Sequence, residues 1–518
     1  MQDEIKTSRR SFVLNGAVAA LAASMWPMRD LLAQGTSGSD SLTITYSSDV
    51  PSWDPTALTV PIAQSLYAAV FDSPLRYSRD LKLEPMQITS WKWLDETKQR
   101  LAITLHDGIK FHDGSPLTMN DVKWSLLERP AKDKKLAVGG MFPTLKDVEI
   151  SSPTQGVLVY RQPTPTAPIF LGFLAAFILP RDYIQKVGMD AFLQKPVGAG
   201  PYRVVQYQRG SRLVLEAFDG YWGAKPKIKN VVFLFTPEAS SRVALVESHR
   251  ADLGADLPIR ETERLGKVAG LTTHIYPIST MYMIKVPSYV KPFDNDNVRK
   301  ALHLAIDKNA LSRALYAGKA PVLSIVATTH SPAYIPGYVF PYNPKEAMEL
   351  LKKEGYSASH PLKIRLLTTN GAFPNDFDMA RVLVSMWKKV GVETDVEVTT
   401  TAKSIELSHN QKITGLVLYN WANATGDPDN GVGRILDPRL RFAMWRDMAL
   451  AGRIDKLFTE VDEAKRIAGY QSLLKDSSEN SWVIPLLQGV ATIGYNSKLD
   501  VPLQGNGYIS PRLYSWKA

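Results

Sequence analysis

The sequence predicts an α/β protein, and three observations carry that class. Apolar runs of strand length recur along the chain, helix-period segments with capping residues stand between them, and the stretch 362–398 reads as strand, helix, strand. With 518 residues, the chain has room for two or three domains.

Taken in order, Leu42-Thr43-Ile44-Thr45-Tyr46 alternates with the period of two expected of a half-buried strand. A proline-punctuated loop, 51–61, precedes a helix-like segment, 62–71. Asp107-Gly108 fits a two-residue turn between strands and predicts a hairpin, in which His106 faces Ile109 and His112 faces Ile103. Thr118 then caps a helix, with Asp121 three residues on as its reciprocal partner. Strands follow at 212–218 and 231–235, and Thr236-Pro237 is expected to open a helix.

Asp294 is expected to begin a helix with Val298, Ala301, Leu302 and Ala305 on its inner face and Gly318 closing it. Asn343-Pro344 starts another, ending near Gly355. Then come a strand at 362–369, a helix at 379–390 with Val382, Leu383, Met386 and Trp387 inward, Gly391, and a strand at 392–398. Such a unit implies parallel strands joined by a right-handed crossover. The next strand, 416–419, runs into the loop Asn420-Trp421-Ala422-Asn423-Ala424-Thr425-Gly426-Asp427. Ligands in open α/β sheets gather beyond the carboxyl ends of strands, so this loop is a candidate site.

Residues 1–33 read as an export signal. Ser8-Arg9-Arg10-Ser11-Phe12-Val13-Leu14 leads into an alanine-rich apolar stretch that ends at Leu31-Leu32-Ala33, and the paired arginines point to the twin-arginine route. Asn15 and Gly16 interrupt the apolar run, which is short of the roughly 20 residues needed to span a bilayer. There is no cysteine, which excludes disulfides, thiolate metal sites and a lipidated cysteine anchor. A periplasmic, soluble, unanchored product is expected. Net charge is +10, yet the basic residues are scattered and the densest run, Lys132-Asp133-Lys134-Lys135, suits a solvated loop. No nucleic-acid partner is expected.

Enzyme and metal signatures fail one by one. The chain has no GxSxG elbow, HExxH helix or Walker loop, and Gly198-Ala199-Gly200 lacks the third glycine of a dinucleotide site. His106 and His112 are not cross-strand neighbours in the predicted hairpin, which argues against a metal between them. Asp427-Pro428-Asp429-Asn430-Gly431 has glycine where a calcium loop needs its third oxygen ligand, and Pro438 where it needs glutamate. Asp427 and Asp429 therefore read as turn and cap residues. No catalysis, cofactor or metal is expected; a periplasmic hydrolase using Asp427 and Asp429, or a chaperone or sensor partner, is the alternative.

Five stretches together resemble the family 5 extracellular solute-binding proteins, the peptide, nickel and related binders that feed ATP-driven importers. They are ITLHDGIKFHDGSPLTMNDVKWSL (103–126), PVGAGPYRVVQYQRGSRLVLEAFDGYWG (196–223), KPFDNDNVRKALHLAIDKNALSRALYAGKA (291–320), YNPKEAMELLKKEGY (342–356) and NWANATGDPDN (420–430). The resemblance implies a two-lobed periplasmic binding protein fold, type II-like and of cluster C, with an extra inserted domain. Residues 34–75, 196–285 and 488–518 would form lobe I, 76–195 the inserted domain II, and 286–487 lobe III. It also implies a monomer that captures solute between lobes and delivers it to ABC permease subunits in the inner membrane. Phe111, Trp124, Trp222 and Tyr202 fall in recurrent stretches and read as packing.

The resemblance also bears on the solute. In peptide-binding relatives the loop after the tryptophan carries an aspartate for the peptide ammonium; here that position is Ala424. The stretch 368–373, where dipeptide binders tend to offer an arginine, has none. What remains is an aromatic face, Trp421, with neutral polar groups at Asn423, Thr425, Asn370 and Thr59, the last within Leu58-Thr59-Val60. This set suits a neutral polar solute or a peptide-like ligand held by its backbone. Trp421→Ala is expected to weaken binding at least tenfold, roughly 1.4 kcal/mol, with little change in melting temperature.

Overall fold

A computed structural model describes residues 40–59 and 61–517. The expected export segment 1–33 and the candidate site residue Val60 lie outside the described residues.

One ten-stranded mixed sheet runs through the molecule. Its order is Val392–Val398, Leu362–Thr368, Leu416–Ala422, Leu271–Lys285, Val483–Asn496, Leu253–Ala255, Ser41–Tyr46, Asn230–Phe235, Arg212–Ala217, Tyr202–Gln208. The two central strands, 15 and 14 residues long, pair antiparallel from Leu271 opposite Asn496 to Lys285 opposite Val483. Register is broken between Pro277 and Met281. Proline cannot donate to a ladder, so the break falls where the pairing is already weakest. On one side of it the long strands join 253–255 and, through it, 41–46; on the other, Met281 to Lys285 pair with 416–422. Two strands therefore tie the halves together, and each half keeps its own core.

One core gathers Leu42, Ile44, Trp53, Tyr67, Phe71 and Phe233. A second gathers Leu302, Leu366, Leu383 and Trp387, beneath helix Asp376–Lys388. The helix holds because Leu383 and Trp387 are four apart on one face, and Trp387 Nε1 donates to the Leu302 carbonyl at 2.9 Å. A third surrounds the four-stranded antiparallel sheet of Ile88–Trp93, Arg100–Leu105, Gln155–Tyr160 and Leu145–Ser152. Phe111 and Tyr202 are buried, as is Trp124, while Trp222 is half-buried.

The strand–helix–strand reading holds, with 362–368 and 392–398 parallel in matched register and 416–422 parallel to the first. The Thr118–Asp121 cap is present: the Asp121 carboxylate accepts from the Thr118 N–H and hydroxyl, both at 2.9 Å. Three expectations fail. Asp107-Gly108 is a turn, but strand Arg100–Leu105 pairs with 88–93 and 155–160 rather than with the residues after the turn, so there is no hairpin across it. Thr236-Pro237 does not cap a helix; Ala239–Glu247 starts later, behind Glu238. The single helix expected from Asp294 to Gly318 is two, Asp296–Leu304 and Lys308–Tyr316, because Asp307 caps the second by accepting from Ala310 N–H at 2.8 Å.

Candidate ligand site

Strand Leu416–Ala422 delivers the candidate loop, three residues longer than its apolar run 416–419 suggests. Trp421 is thus a strand residue opposite Met281. Its Nε1 donates to the Asn430 carbonyl at 2.7 Å, and its ring lies 5.3 Å from that of Phe442, leaving the side chain half-buried. One edge is fixed by the loop it introduces.

The loop is closed by its own side chains. Asn423 Nδ2 donates to the Asp427 carbonyl at 2.8 Å, and Asn423 Oδ1 accepts from the Thr425 hydroxyl at 2.7 Å and from Asn430 Nδ2 at 3.1 Å. Thr425 Oγ1 also accepts from the Asp427 N–H at 3.1 Å. Gly426 sits at φ 69°, a backbone that other L-residues rarely adopt. Asn423 and Thr425, expected to face solute, are therefore turned to the loop itself, and both are buried. The reason is local: short polar side chains satisfy nearby backbone groups more readily than distant ones.

Asp427 and Asp429 anchor this loop to helix Glu463–Glu479. Asp427 forms a two-point pair with Arg466 and accepts from the Asp429 N–H at 2.9 Å. Asp429 accepts from the Tyr470 hydroxyl at 2.8 Å, and burial, with the Asp427 charge beside it, raises its pKa to about 6. The turn and cap reading is right for Asp427, whose carboxylate receives the amide two residues on. It missed Arg466 and Tyr470.

Ala424, 5% exposed, packs in the core around the four-stranded sheet. Burial and then the nearby Asp427 charge push the hydroxyl of Tyr77, in the two-stranded sheet of Leu75–Tyr77 and Leu83–Pro85, well above its ordinary pKa. Behind Ala424 lies a cavity of about 340 Å³, whose wall includes Asp72, Arg76, Phe173, Tyr508 and Arg512. No sequence signal singled these out.

Leu58 and Thr59 are exposed, beyond a turn in which buried Asp54 pairs with Arg129 and accepts from Thr56 N–H at 3.0 Å. The turn is pinned to helix Ala137–Met141 by Ala137 N–H on the Ala57 carbonyl, 3.2 Å. Asn370 is exposed in the bend after strand Leu362–Thr368. Asp376 shapes that bend, accepting from Gly371 and Ala372 N–H, each at 2.9 Å, and from the Thr369 hydroxyl at 2.7 Å. Among the described residues no hydrogen bond joins Thr59 or Asn370 to the 421–425 segment.

The histidines that invite a metal reading are engaged elsewhere. Gly198 N–H donates to His112 Nδ1 at 3.3 Å, so Nε2 carries the hydrogen facing the Gly200 carbonyl at 3.0 Å, and burial lowers the pKa to about 4. His106 lies against Trp222, ring centres 4.8 Å apart and planes tilted by 45°. Among the described residues no group of three or more His, Asp or Glu could hold a metal ion, and no helix is long and apolar enough to cross a membrane.

Comparison with known proteins agrees with this architecture. The glutathione-binding protein GsiB of Pectobacterium atrosepticum is 25% identical over 491 residues, covering 92% of this chain and 91% of that one. The dipeptide-binding protein of Escherichia coli is 27% identical over 368 residues, 65% of this chain and 68% of that one. In structure, the periplasmic binding protein DppA of Helicobacter pylori with the peptide STSA superposes with a TM-score of 0.81 at 20% identity, over 92% of this chain and 98% of that one. NikZ of Campylobacter jejuni with Ni(L-His) gives 0.80 at 20% identity, over 92% and 100%. The two-lobed periplasmic binding protein fold is thereby shown. The model for bacterial extracellular solute-binding proteins, family 5 middle, matches residues 82–439. The chain belongs to the family 5 bacterial extracellular solute-binding proteins.

Proposed function

We propose that this protein is the substrate-binding component of an ABC importer, holding a small polar organic solute or a peptide-like ligand between two lobes and passing it unaltered to inner-membrane permease subunits. Lobe I would comprise 34–75, 196–285 and 488–518, lobe III 286–487, with 76–195 as the inserted domain II. Trp421, Ala424, Leu58, Thr59, Val60 and Asn370 are the residues proposed to line the site, with Asn423 and Thr425 shaping the loop that carries them. The periplasm, reached by the twin-arginine route, and a monomeric state complete the proposal.

The observation that supports this reading is Ala424, which the loop after strand Leu416–Ala422 brings into the core around the four-stranded sheet. A loop that spans a gap between domains lets a solute contact both sides only when they are together. The solute then shifts the open–closed equilibrium by the difference in its affinity for the two states. A micromolar affinity corresponds to about −8 kcal/mol, within reach of one buried small solute. The hydrolase alternative is disfavoured because Asp427 and Asp429 are buried and already engaged by Arg466 and Tyr470.

Native mass spectrometry of protein isolated from the periplasm is the test. A co-purifying small molecule that rebinds the emptied protein and is recovered with unchanged mass supports a binder. Turnover of that molecule, or a protein that never retains one, would sink the proposal.

A further inference from the structure

The cavity behind Ala424 contains a guanidinium that the protein leaves partly unanswered. The cavity, about 340 Å³, lies among the helix Gln64–Val70, the strand pair Leu75–Tyr77 and Leu83–Pro85, residues 172–177 and the C-terminal stretch 504–513. Arg512 lines it with its side chain 19% exposed. Every contact it makes is long and comes from one nitrogen: Nη1 is 3.5 Å from each Asp72 carboxylate oxygen, 3.4 Å from the Tyr221 hydroxyl and 3.7 Å from Met86 sulfur. Asp72 is better held by others, accepting from the Tyr221 hydroxyl at 2.7 Å and the Ser73 N–H at 3.2 Å. Among the described residues Nε and Nη2 of Arg512 meet no acceptor. A guanidinium has five donors in a fixed fork, so these two nitrogens remain available to an acceptor within the cavity.

The charge around it is unbalanced in the same direction. Arg76, Arg79 and Arg512 face Asp72 and Glu84 on the cavity wall. Arg76 and Glu84 pair at 3.0 Å, which leaves Arg512 and the exposed Arg79 against Asp72 alone. Burial raises the Asp72 carboxyl above its ordinary pKa, and the Arg512 charge beside it pulls the other way. Phe173 and Phe177 give the wall an apolar part, and Ala424 adds a methyl group without charge.

We propose that this cavity is an anion subsite of the solute site, and that the solute carries a carboxylate taken by the Nε–Nη2 edge of Arg512. The inference rests on the solute-binding reading above. A planar fork matches a carboxylate at two points, which a lysine in its place would not do. The solute class is therefore an organic acid with a neutral body, such as an N-acylated amino acid or peptide, rather than a zwitterion anchored by its ammonium.

Calorimetric titration of the emptied protein with N-acetyl-alanyl-alanine and with alanyl-alanine amide tests it. The acetylated acid is expected to bind at least tenfold more tightly than the amide. Arg512→Gln should weaken the acid at least tenfold; if that variant does not fold, Arg512→Lys, which keeps the charge and loses the fork, should still weaken it severalfold. Ala424→Asp should lower the acid's affinity and raise the amide's. Equal binding of the two probes, acid binding that survives both Arg512 variants, or no binding of the acid at millimolar concentration overturns the proposal. A neutral or cationic molecule found in the native mass spectrum would overturn the carboxylate and leave solute binding intact. An empty native spectrum would instead count against solute binding itself.

Discussion

Asp427 and Arg466 meet in a two-point pair, Nη1 to Oδ1 at 3.0 Å and Nη2 to Oδ2 at 2.6 Å, with both side chains 5% exposed. The pair joins the loop after strand Leu416–Ala422 to helix Glu463–Glu479 across 39 residues of sequence. It ties to that helix the same loop whose Ala424 packs in the core around the four-stranded sheet.

Asp427→Ala is therefore expected to act on stability first. It leaves a buried guanidinium without its carboxylate, and breaking such a pair costs roughly 3–5 kcal/mol. The unfolding midpoint in urea should fall clearly, and Asp427→Asn, which keeps one acceptor, should fall less. A variant that unfolds with the wild type would show that the pair does not anchor the loop.

Asp429 gives the same loop a pH signature. Its folded pKa, about 6, is above the ordinary carboxylate value of about 3.9, chiefly through burial, then the Asp427 charge; Tyr470, Arg434 and Arg466 pull the other way. The folded state thus holds its proton more tightly than the unfolded state. Its contribution to stability is complete below about pH 4 and is lost as pH rises through about 6. Asp429→Asn, which retains an acceptor for the Tyr470 hydroxyl, should remove that loss and raise the melting temperature at pH 8. Melting curves of the two proteins between pH 4 and 8 decide it, and identical profiles would refute the assignment.

What could be read from the sequence was what neighbours along the chain decide. The cap at Thr118 and Asp121, the strand 392–398 and the helix face of Leu383 and Trp387 depend on spacings of three, two and four residues, and all three are present. The hairpin at Asp107-Gly108 failed for the opposite reason. A turn dipeptide reports local backbone preference, whereas the partners of strand Arg100–Leu105 come from 88–93 and 155–160. In the candidate site, Trp421 and Ala424 could be singled out because the family pattern marks their loop. Arg466, Tyr470 and Arg512 could not, since each reaches its partner across 39 or more residues. The hydrogen bonds of Asn423 within its own loop could not be read either, because an amide in a turn and an amide in a pocket wall look the same in one dimension.

Lys285 predicts an alkaline response. It is buried, its ammonium donates to the Phe442 carbonyl and lies 4.4 Å from the Tyr419 ring centre, and burial with the nearby Arg446 charge lowers its pKa to about 7. In the unfolded chain it titrates near 10.4, so between about pH 7 and 10 the unfolded state binds the extra proton and stability rises with pH. Lys308, whose pKa burial lowers to about 7 as well, adds to the same slope. Lys285→Met should flatten the rise without abolishing it. Urea midpoints at pH 7, 8 and 9 provide the comparison, and an unchanged slope in the variant would remove Lys285 from the account.

Trp421 does two things at once, which changes what its removal can report. The sequence alone suggested that Trp421→Ala would spare the melting temperature. The structure argues otherwise, because the indole donates to the Asn430 carbonyl at 2.7 Å and its ring packs 5.3 Å from Phe442. Losing the donor leaves that carbonyl unpaired, a cost of roughly 1–3 kcal/mol, and removing the half-buried ring adds lost packing. Affinity and stability should therefore fall together, and a fall in affinity alone would not locate the ring in the site wall. The separating measurement is the rise in melting temperature produced by saturating co-purified solute, which depends on the affinity of the folded form. If the exposed face of Trp421 lines the site, that rise is smaller in Trp421→Ala than in the wild type at equal solute, and intermediate in Trp421→Phe, which keeps a ring and loses the N–H. An equal rise in all three proteins would make Trp421 a structural post of the loop, leaving recognition to the wall around Ala424.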